Sequence, residues 1–364
     1  YKLTISVQYE KAMLSARTAL GVAARSTLRQ YATAAIYSKH GIPENVLKVE
    51  NITIPSSLGA NEVLLRTLAA PINPADLNQI EGVYPITAPL PAVGGNEGVF
   101  VVEKVGSLVK GLGANDWVIP AKPAFGTWRT HAVVKDAEVL KIAPTIPVEY
   151  AATISVNPCT ALRLLEDFAK LKPGDVIIQN AASSVVGQAV IQLAALNGVK
   201  TVNIIRKDRV NYADMVDRLK GLGGDIVVSD EYSRSPEMKH LLSDLPKPLL
   251  GLNAIGGESA TDIVRLLGNG GTLVTYGGMS RKPVTVPTSS LIFKDITLRG
   301  FWLSKWLESH PQEDRLKMIN SLSGLIASKK LKLFLEKHPF ADFAFGLTKS
   351  RSPLRDRKLV LSFD

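Results

Sequence analysis

Cysteine is almost missing from this 364-residue chain. Cys159 stands alone, so no internal disulfide framework can form, and a reducing compartment suits the sequence. No run of about 18 uncharged apolar residues occurs, which argues against a membrane-spanning helix. The five histidines (His40, His131, His240, His310 and His338) are scattered, and no spacing offers three convergent zinc ligands. No Ser-His-Asp or paired-carboxylate arrangement stands out, and no internal repeat or low-complexity tract interrupts the fold.

Acids are also missing from Met13 to Tyr31, where the chain is rich in Ala, Ser, Thr and Arg. That composition reads as a mitochondrial transit peptide, with Arg29-Gln30-Tyr31 before Ala32 as the cleavage point. A disordered basic tail is the plainer alternative. Residues 1–12 precede Met13 and read as a gene-model extension, so residues 1–31 are excluded from the fold. They carry Lys2, Lys11, Arg17, Arg25 and Arg29 against Glu10, a net +4 of the chain's +10, leaving +6 for the rest. Six charges on so long a chain favour an acidic partner only mildly.

What is present is a hydrophobic fraction of 46% with 21% charged residues, enough to bury a core in two domains. Strand-like runs at 34–38, 46–54, 62–69, 99–105, 117–120 and 127–134 are separated by Gly, Pro and Asn. From Lys172 strands and helices alternate. Strands are expected at 175–180, 200–205, 225–228, 249–255, 272–276 and 296–302, and helices at 187–196, 212–222, 236–242 and 259–267. Such alternation with short connections predicts an α/β fold with a parallel, doubly wound Rossmann sheet. A helix over 313–328 follows, and a strand at 358–361 is expected to rejoin the first domain. The expected organisation is a β-rich domain over 32–156 with 306–364, and a Rossmann domain over 157–305.

The turn Asn180-Ala181-Ala182-Ser183-Ser184-Val185-Val186-Gly187 keeps only the last glycine of a G-x-G-x-x-G pattern. Ser183 and Ser184 are small and carry hydroxyls that can donate to phosphate, and the helix N-terminus beyond them favours an anion. An ordinary strand–helix connection is the alternative, but its place in the first unit of a sheet with at least five strands favours a nucleotide. At the end of the second strand an NAD site wants an acid and an NADP site a cation. Ile205-Arg206-Lys207-Asp208-Arg209 puts Arg206 there, with Asp208 two positions on; a solvated charge run is the alternative. NADPH is therefore the expected cofactor. Tyr276-Gly277-Gly278-Met279 after the fifth strand would let the backbone approach a nicotinamide ring closely.

The motifs INPAD-NQ-GVYP (72–85), GNEG (95–98), FGTWRTHA (125–132), SVNPCTA (155–161), YGGMS (276–280) and GFWL (300–303) occur in order over residues 34–364. In combination they resemble the mitochondrial 2-enoyl thioester reductases (trans-2-enoyl-CoA reductases), a zinc-free branch of the medium-chain dehydrogenase/reductase superfamily. The resemblance implies a GroES-like catalytic domain beside the Rossmann domain. It also implies NADPH-dependent reduction of trans-2-enoyl thioesters in mitochondrial fatty acid synthesis, in the matrix, on coenzyme A or acyl carrier protein. Tyr84 in GVYP matches the family's active-site tyrosine. Asn157, Ser183, Ser184, Val185, Val186, Arg206, Arg209, Tyr276, Gly277, Gly278, Met279, Phe301, Trp302, Leu303 and Lys358 match its cofactor contacts. Val185 stands where relatives have glycine, and the IIRKDR stretch is one residue longer than the family's arginine-rich turn. Where zinc alcohol dehydrogenases of the superfamily carry a ligand histidine, this chain has Asn96, which argues against alcohol–ketone redox.

Hydride delivered to C3 of an enoyl thioester pushes charge onto the thioester oxygen, and C2 then takes a proton. A tyrosine hydroxyl, neutral at pH 7, can serve either need, and the choice for Tyr84 stays open. The plainer alternatives are a core tyrosine, a core tryptophan at Trp302 (otherwise a wall of the acyl pocket), and a small buried Cys159. Lys305, Lys329 and Lys330 are candidates for a basic rim that steers an acidic carrier, and the 296–302 strand for a homodimer seam. One rival is a zinc-free NADPH quinone oxidoreductase, in which the GVYP tyrosine has no evident role. A second is a basic nucleic-acid-binding protein, though the chain lacks a clustered basic stripe with interleaved aromatics.

Overall fold

A computed structural model of the chain describes residues 31–352 and 356–363. The segment read as a transit peptide lies outside them except for Tyr31, which is already part of a strand. Three sheets form. The smallest has the order β2 (Lys48–Thr53), β1 (Tyr31–Tyr37), β4 (Ala92–Val93). A second is built on β3 (Glu62–Pro71), whose alternating apolar positions bury one face and whose end is buried throughout. Its order is β15 (Leu335–Pro339), β16 (Lys358–Ser362), β3, β5 (Val99–Val105), β6 (Trp117–Pro120), β8 (Val139–Ile142), and β7 (His131–Lys135) also pairs with β3.

The third sheet is wholly parallel, in the order β11 (Ile226–Ser229), β10 (Lys200–Ile205), β9 (Val176–Gln179), β12 (Leu250–Asn253), β13 (Thr272–Thr275), β14 (Thr297–Gly300). In chain order this is 3-2-1-4-5-6, the doubly wound arrangement expected from the alternation. β9 and β12 are buried at every residue, as a sheet covered by helices on both faces requires. One apolar cluster joins the sheets: Ile177, Leu252 and Val274 share it with Ala69, Val99, Ile119 and Val360, through helices Asn157–Glu166 and Gln312–Ala327. The walls of the cleft between the two larger sheets therefore share a core.

Local differences from the sequence reading have physical causes. β1 begins at Tyr31, paired with Thr53, so the excluded segment was one residue too long. Pro43 opens a helical turn, Pro43–Val46, which delays β2 to Lys48. Residues 127–130 do not extend β7, because the backbone N–H groups of Thr127 and Trp128 donate to Gly95 and Gly94. β14 stops at Gly300, and helix Leu303–Ser309 begins just beyond it. The four-residue strand β8, the strand β15 and helix Thr288–Lys294 were not expected, being too short to show a period.

Gly187 lies where helix Val185–Leu196 meets the preceding turn; a Cβ there would stand 2.7 Å from the Cα and carbonyl oxygen of Ala182. Gly187→Ala is expected to lower stability by about 1–3 kcal/mol, because backbone rather than a flexible side chain must yield. Urea unfolding of the variant checks this, and an unchanged midpoint contradicts it.

Candidate active site

The carboxyl ends of β9 and β12 diverge at the switch point of the strand order, where open α/β sheets bind ligands. Asn180 ties these ends together. Its Nδ2 donates to Asn253 Oδ1 (2.8 Å) and Ser259 Oγ (3.0 Å), and its Oδ1 accepts from Ala254 N (2.8 Å). From here a cleft of about 1270 Å³ runs between the two larger sheets.

At one end the turn after β9 leads into helix Val185–Leu196, capped by Ser184, whose Oγ accepts from Gly187 N at 3.1 Å. Ser183, Ser184, Val186, Arg206 and Arg209 line this end, and Val185 does not. Arg206 is half exposed and stands 4.0 Å from Asp208. Arg209 is buried: Nη2 bonds Asp356 Oδ1 at 2.6 Å and Nη1 reaches Ser183 Oγ at 3.5 Å. Asp356 also accepts from Asn211 and, through its carbonyl, from Arg218 (3.0 Å).

Along the middle, Tyr276–Met279 follow β13. Tyr276 N donates to Asn253 O (2.9 Å) and Met279 N to Ala254 O (3.0 Å). A Cβ on Gly277 would meet Ala254 O at 3.0 Å, so the close approach there needs a glycine. Asn157, at the start of its helix, lines the cleft and keeps its Nδ2 buried without a hydrogen-bond partner. The phosphate-type end, the small-residue edge and this orphan amide together fit a phosphorylated dinucleotide.

Opposite this edge, helix Pro74–Glu81 ends in Gly82, whose left-handed backbone (φ +80°) turns the chain back toward the cleft. Tyr84 follows. Its oxygen accepts a 2.8 Å hydrogen bond from Trp302 Nε1, and the two rings meet edge to face at 5.9 Å. The pair crosses the cleft, since Trp302 comes from the end of β14. Neither ring is a core residue, and Trp302 is 36% exposed. With its oxygen accepting from Trp302, the phenol's proton remains free to donate to a ligand. Phe301 and Leu303 line the same region; Phe301 packs edge to face on Phe168 at 5.8 Å.

Lys358, expected to touch the cofactor, does not line the cleft. It is buried one layer behind, donating to Asn73 Oδ1 (2.6 Å) and Ile72 O (3.2 Å). With it stands a polar cluster that the sequence reading missed as a unit, of which Asn73, Asp76, Asn96 and Ser155 line the cleft and Glu97 does not. Asn73 Nδ2 donates to Glu97 Oε2 (2.9 Å); Ser155 Oγ (3.1 Å) and Val156 N (2.8 Å) donate to Glu97 Oε1. Asn96 Nδ2 donates to Asp76 Oδ1 (2.7 Å) and Gln79 Oε1 (3.0 Å), and its Oδ1 accepts from Ala124 N (2.5 Å). Burial pushes the Glu97 pKa up from 4.5 to about 7, against the opposing pull of Lys358 and of these hydrogen bonds. Burial raises Asp76 too. Cys159 is a buried core residue whose thiol burial pushes up to about 12. Among the described residues no three His, Cys, Asp or Glu side chains are grouped to hold a metal ion.

The rim differs from expectation as well. Lys305, Lys329 and Lys330 do not line it; Lys122, Arg281 and Arg351 do. Arg281 Nη2 pairs with Glu81 Oε2 at 2.6 Å, a second link across the cleft. Asp230, Arg234 and Arg315 also line the cleft without having been anticipated; Asp230 and Arg234 lie in the connection after β11, where periodicity gives no direction, and Arg315 is a charged residue on an otherwise apolar helix stripe.

Two family models match this architecture. Alcohol dehydrogenase GroES-like domain covers residues 59–144 and zinc-binding dehydrogenase covers 185–321, which together define a protein of the medium-chain dehydrogenase/reductase class. The mitochondrial enoyl-acyl-carrier-protein reductase of Dictyostelium discoideum is 51% identical over 92% of this chain and 97% of its own length. The mitochondrial 2-enoyl thioester reductase Etr1p/Etr2p heterodimer from Candida tropicalis matches with a TM-score of 0.85 and 37% identity. A structure of Etr1p with NADP and crotonyl-CoA matches with the same TM-score at 36% identity; both cover 91% of this chain and 99% of theirs. The chain belongs to the mitochondrial enoyl-acyl-carrier-protein reductase family.

The proton on Glu97 gives a pH dependence. Between 4.5 and about 7 the folded protein holds a proton that the unfolded chain releases. The stability this confers is complete below 4.5 and is lost as pH rises through about 7. Glu97→Gln is expected to make the decline in melting temperature over that window shallower than in the parent; parallel profiles contradict the assignment.

Proposed function

We propose that this protein reduces trans-2-enoyl thioesters to saturated acyl thioesters with NADPH, in the mitochondrial matrix, as a step of fatty acid synthesis. The observation that carries this reading is the Tyr84 hydroxyl, fixed by Trp302 on the cleft wall facing the Tyr276–Met279 edge. Ser183 and Ser184 with the helix N-terminus behind them hold the pyrophosphate, and Arg206 and Arg209 hold the 2′-phosphate. Asn157, Tyr276–Met279 and Phe301–Leu303 position the nicotinamide end. Bound NADPH supplies the hydride that adds to C3 of the substrate. Tyr84 donates a hydrogen bond to the thioester oxygen, where charge develops as C3 is reduced, and C2 takes up a proton to complete the saturated product. Trp302 keeps the phenol oriented so that little reorganisation accompanies the reaction. Lys358, through Asn73, sets the start of helix Pro74–Glu81, which leads to Tyr84, rather than touching the reacting atoms.

An acidic carrier protein suits the rim cations Lys122, Arg281 and Arg351, which would speed its approach. A homodimer is supported by β14, an outer strand exposed at all four residues, beside the exposed Leu291, Ile292 and Phe293. Quinone reduction would leave the placed phenol without work.

Tyr84→Phe is expected to lower kcat with crotonyl-CoA by about 100-fold or more while NADPH binding, followed by fluorescence, stays as in the parent. Unchanged turnover removes Tyr84 from the mechanism, and turnover of a quinone but not of crotonyl-CoA by the parent overturns the reading. Arg206→Ala is expected to raise KM for NADPH about tenfold and leave KM for NADH unaltered, a split that steady-state kinetics with both cofactors reads directly.

A further inference from the structure

We propose that Arg315 sets the upper limit on acyl chain length by closing the buried end of the cleft with a fixed, charged surface. This rests on the enoyl-thioester reading and states which thioesters that site takes.

A carrier, whether coenzyme A or a protein, is too bulky to enter and must stay at the open rim, beside the exposed Val83, Met279 and Arg281. The acyl chain then runs inward past Tyr84 and Trp302. Leu303, Ser155, Thr160 and Arg315 all line the cleft while being at least nine-tenths buried, and we take this group as the inner end of the acyl path. Arg315 belongs to helix Gln312–Ala327, whose buried positions are Arg315, Met318, Ile319, Leu322 and Ile326. It is the one charged residue on that core-facing stripe, where an apolar side chain would have continued the pattern.

Its guanidinium is held in place. Nη1 donates to Ala121 O at 2.7 Å and Nη2 to Pro120 O at 2.9 Å, while Nε is buried without a hydrogen-bond partner. No carboxylate among the described residues stands within 4.0 Å of it to form an ion pair. A short acyl chain stops before this group. A long one must press methylenes against a buried cation, offering it no acceptor, and the two carbonyl bonds keep the guanidinium from swinging aside.

The test is the ratio of kcat/KM for trans-2-dodecenoyl-CoA to that for crotonyl-CoA, with NADPH. In the parent this ratio is expected to lie at about one tenth or below, although each added methylene that a pocket can bury should raise binding roughly fourfold. Arg315→Met, which keeps the bulk and removes the charge, is expected to raise the ratio about tenfold or more. An unchanged ratio in a folded variant overturns the proposal. Should that variant fail to fold, the parent series decides alone: a kcat/KM that stays level or climbs from four to twelve carbons overturns it, and a fall supports it. Absence of any crotonyl-CoA turnover by the parent is a different failure, that of the reductase reading itself.

Discussion

A single 2.8 Å hydrogen bond, from the indole of Trp302 to the oxygen of Tyr84, spans the gap between two sheets of unlike construction. Its geometry is set from both sides. On one side Gly82 turns the chain at the end of its helix; on the other, Phe301 N bonds to Thr275 O, so Trp302 leaves the parallel sheet at a defined height. The shared apolar cluster beneath keeps the two sides in register, since a packed interior deforms little under load. A phenol whose oxygen is already occupied presents its proton in one direction, which is what a developing oxyanion requires.

At that wall, apolar packing gives way to a polar layer. Asp76, Glu97 and Lys358 are buried together and are linked through Asn73, Asn96, Ser155 and backbone N–H groups. Such a layer stabilises weakly and specifies strongly, because each group lost leaves another unpaired. Here it fixes the start of helix Asn157–Glu166 through Val156 N, and with it the amide of Asn157.

The parallel sheet was legible because strands β9 to β13 are short, mostly apolar runs bounded by turn residues, with helical apolar spacing between them. The order 3-2-1-4-5-6 then follows from handedness and short connections. Tyr84, Asn157, Tyr276–Met279 and Phe301–Leu303 carried motif signals and meet in one cleft. Arg315, Asp230 and Arg281 gave no such signal, and the Glu97 cluster lay in three separate motifs, INPAD, GNEG and SVNPCTA, with nothing to say that they meet. Their partners lie far along the chain, Pro120 for Arg315 and Glu81 for Arg281, and a linear pattern holds no information on contacts made across a cleft. Lys358 showed the converse: the resemblance pointed to the residue, but only the register of β16 on β3 placed it beside Asn73.

That register has a consequence for how the molecule assembles. β16 lies inside the second sheet, between β15 and β3, and its Lys358 reaches Asn73 across 285 positions of sequence. During synthesis the parallel sheet, contained within Val176–Gly300, can close on itself while β3 still waits for its neighbour. The nucleotide half thus becomes a template on which the other half condenses last. β5 and β7 already flank the first part of β3, so the edge left open until then is its end, Ala69–Pro71, which β16 later covers.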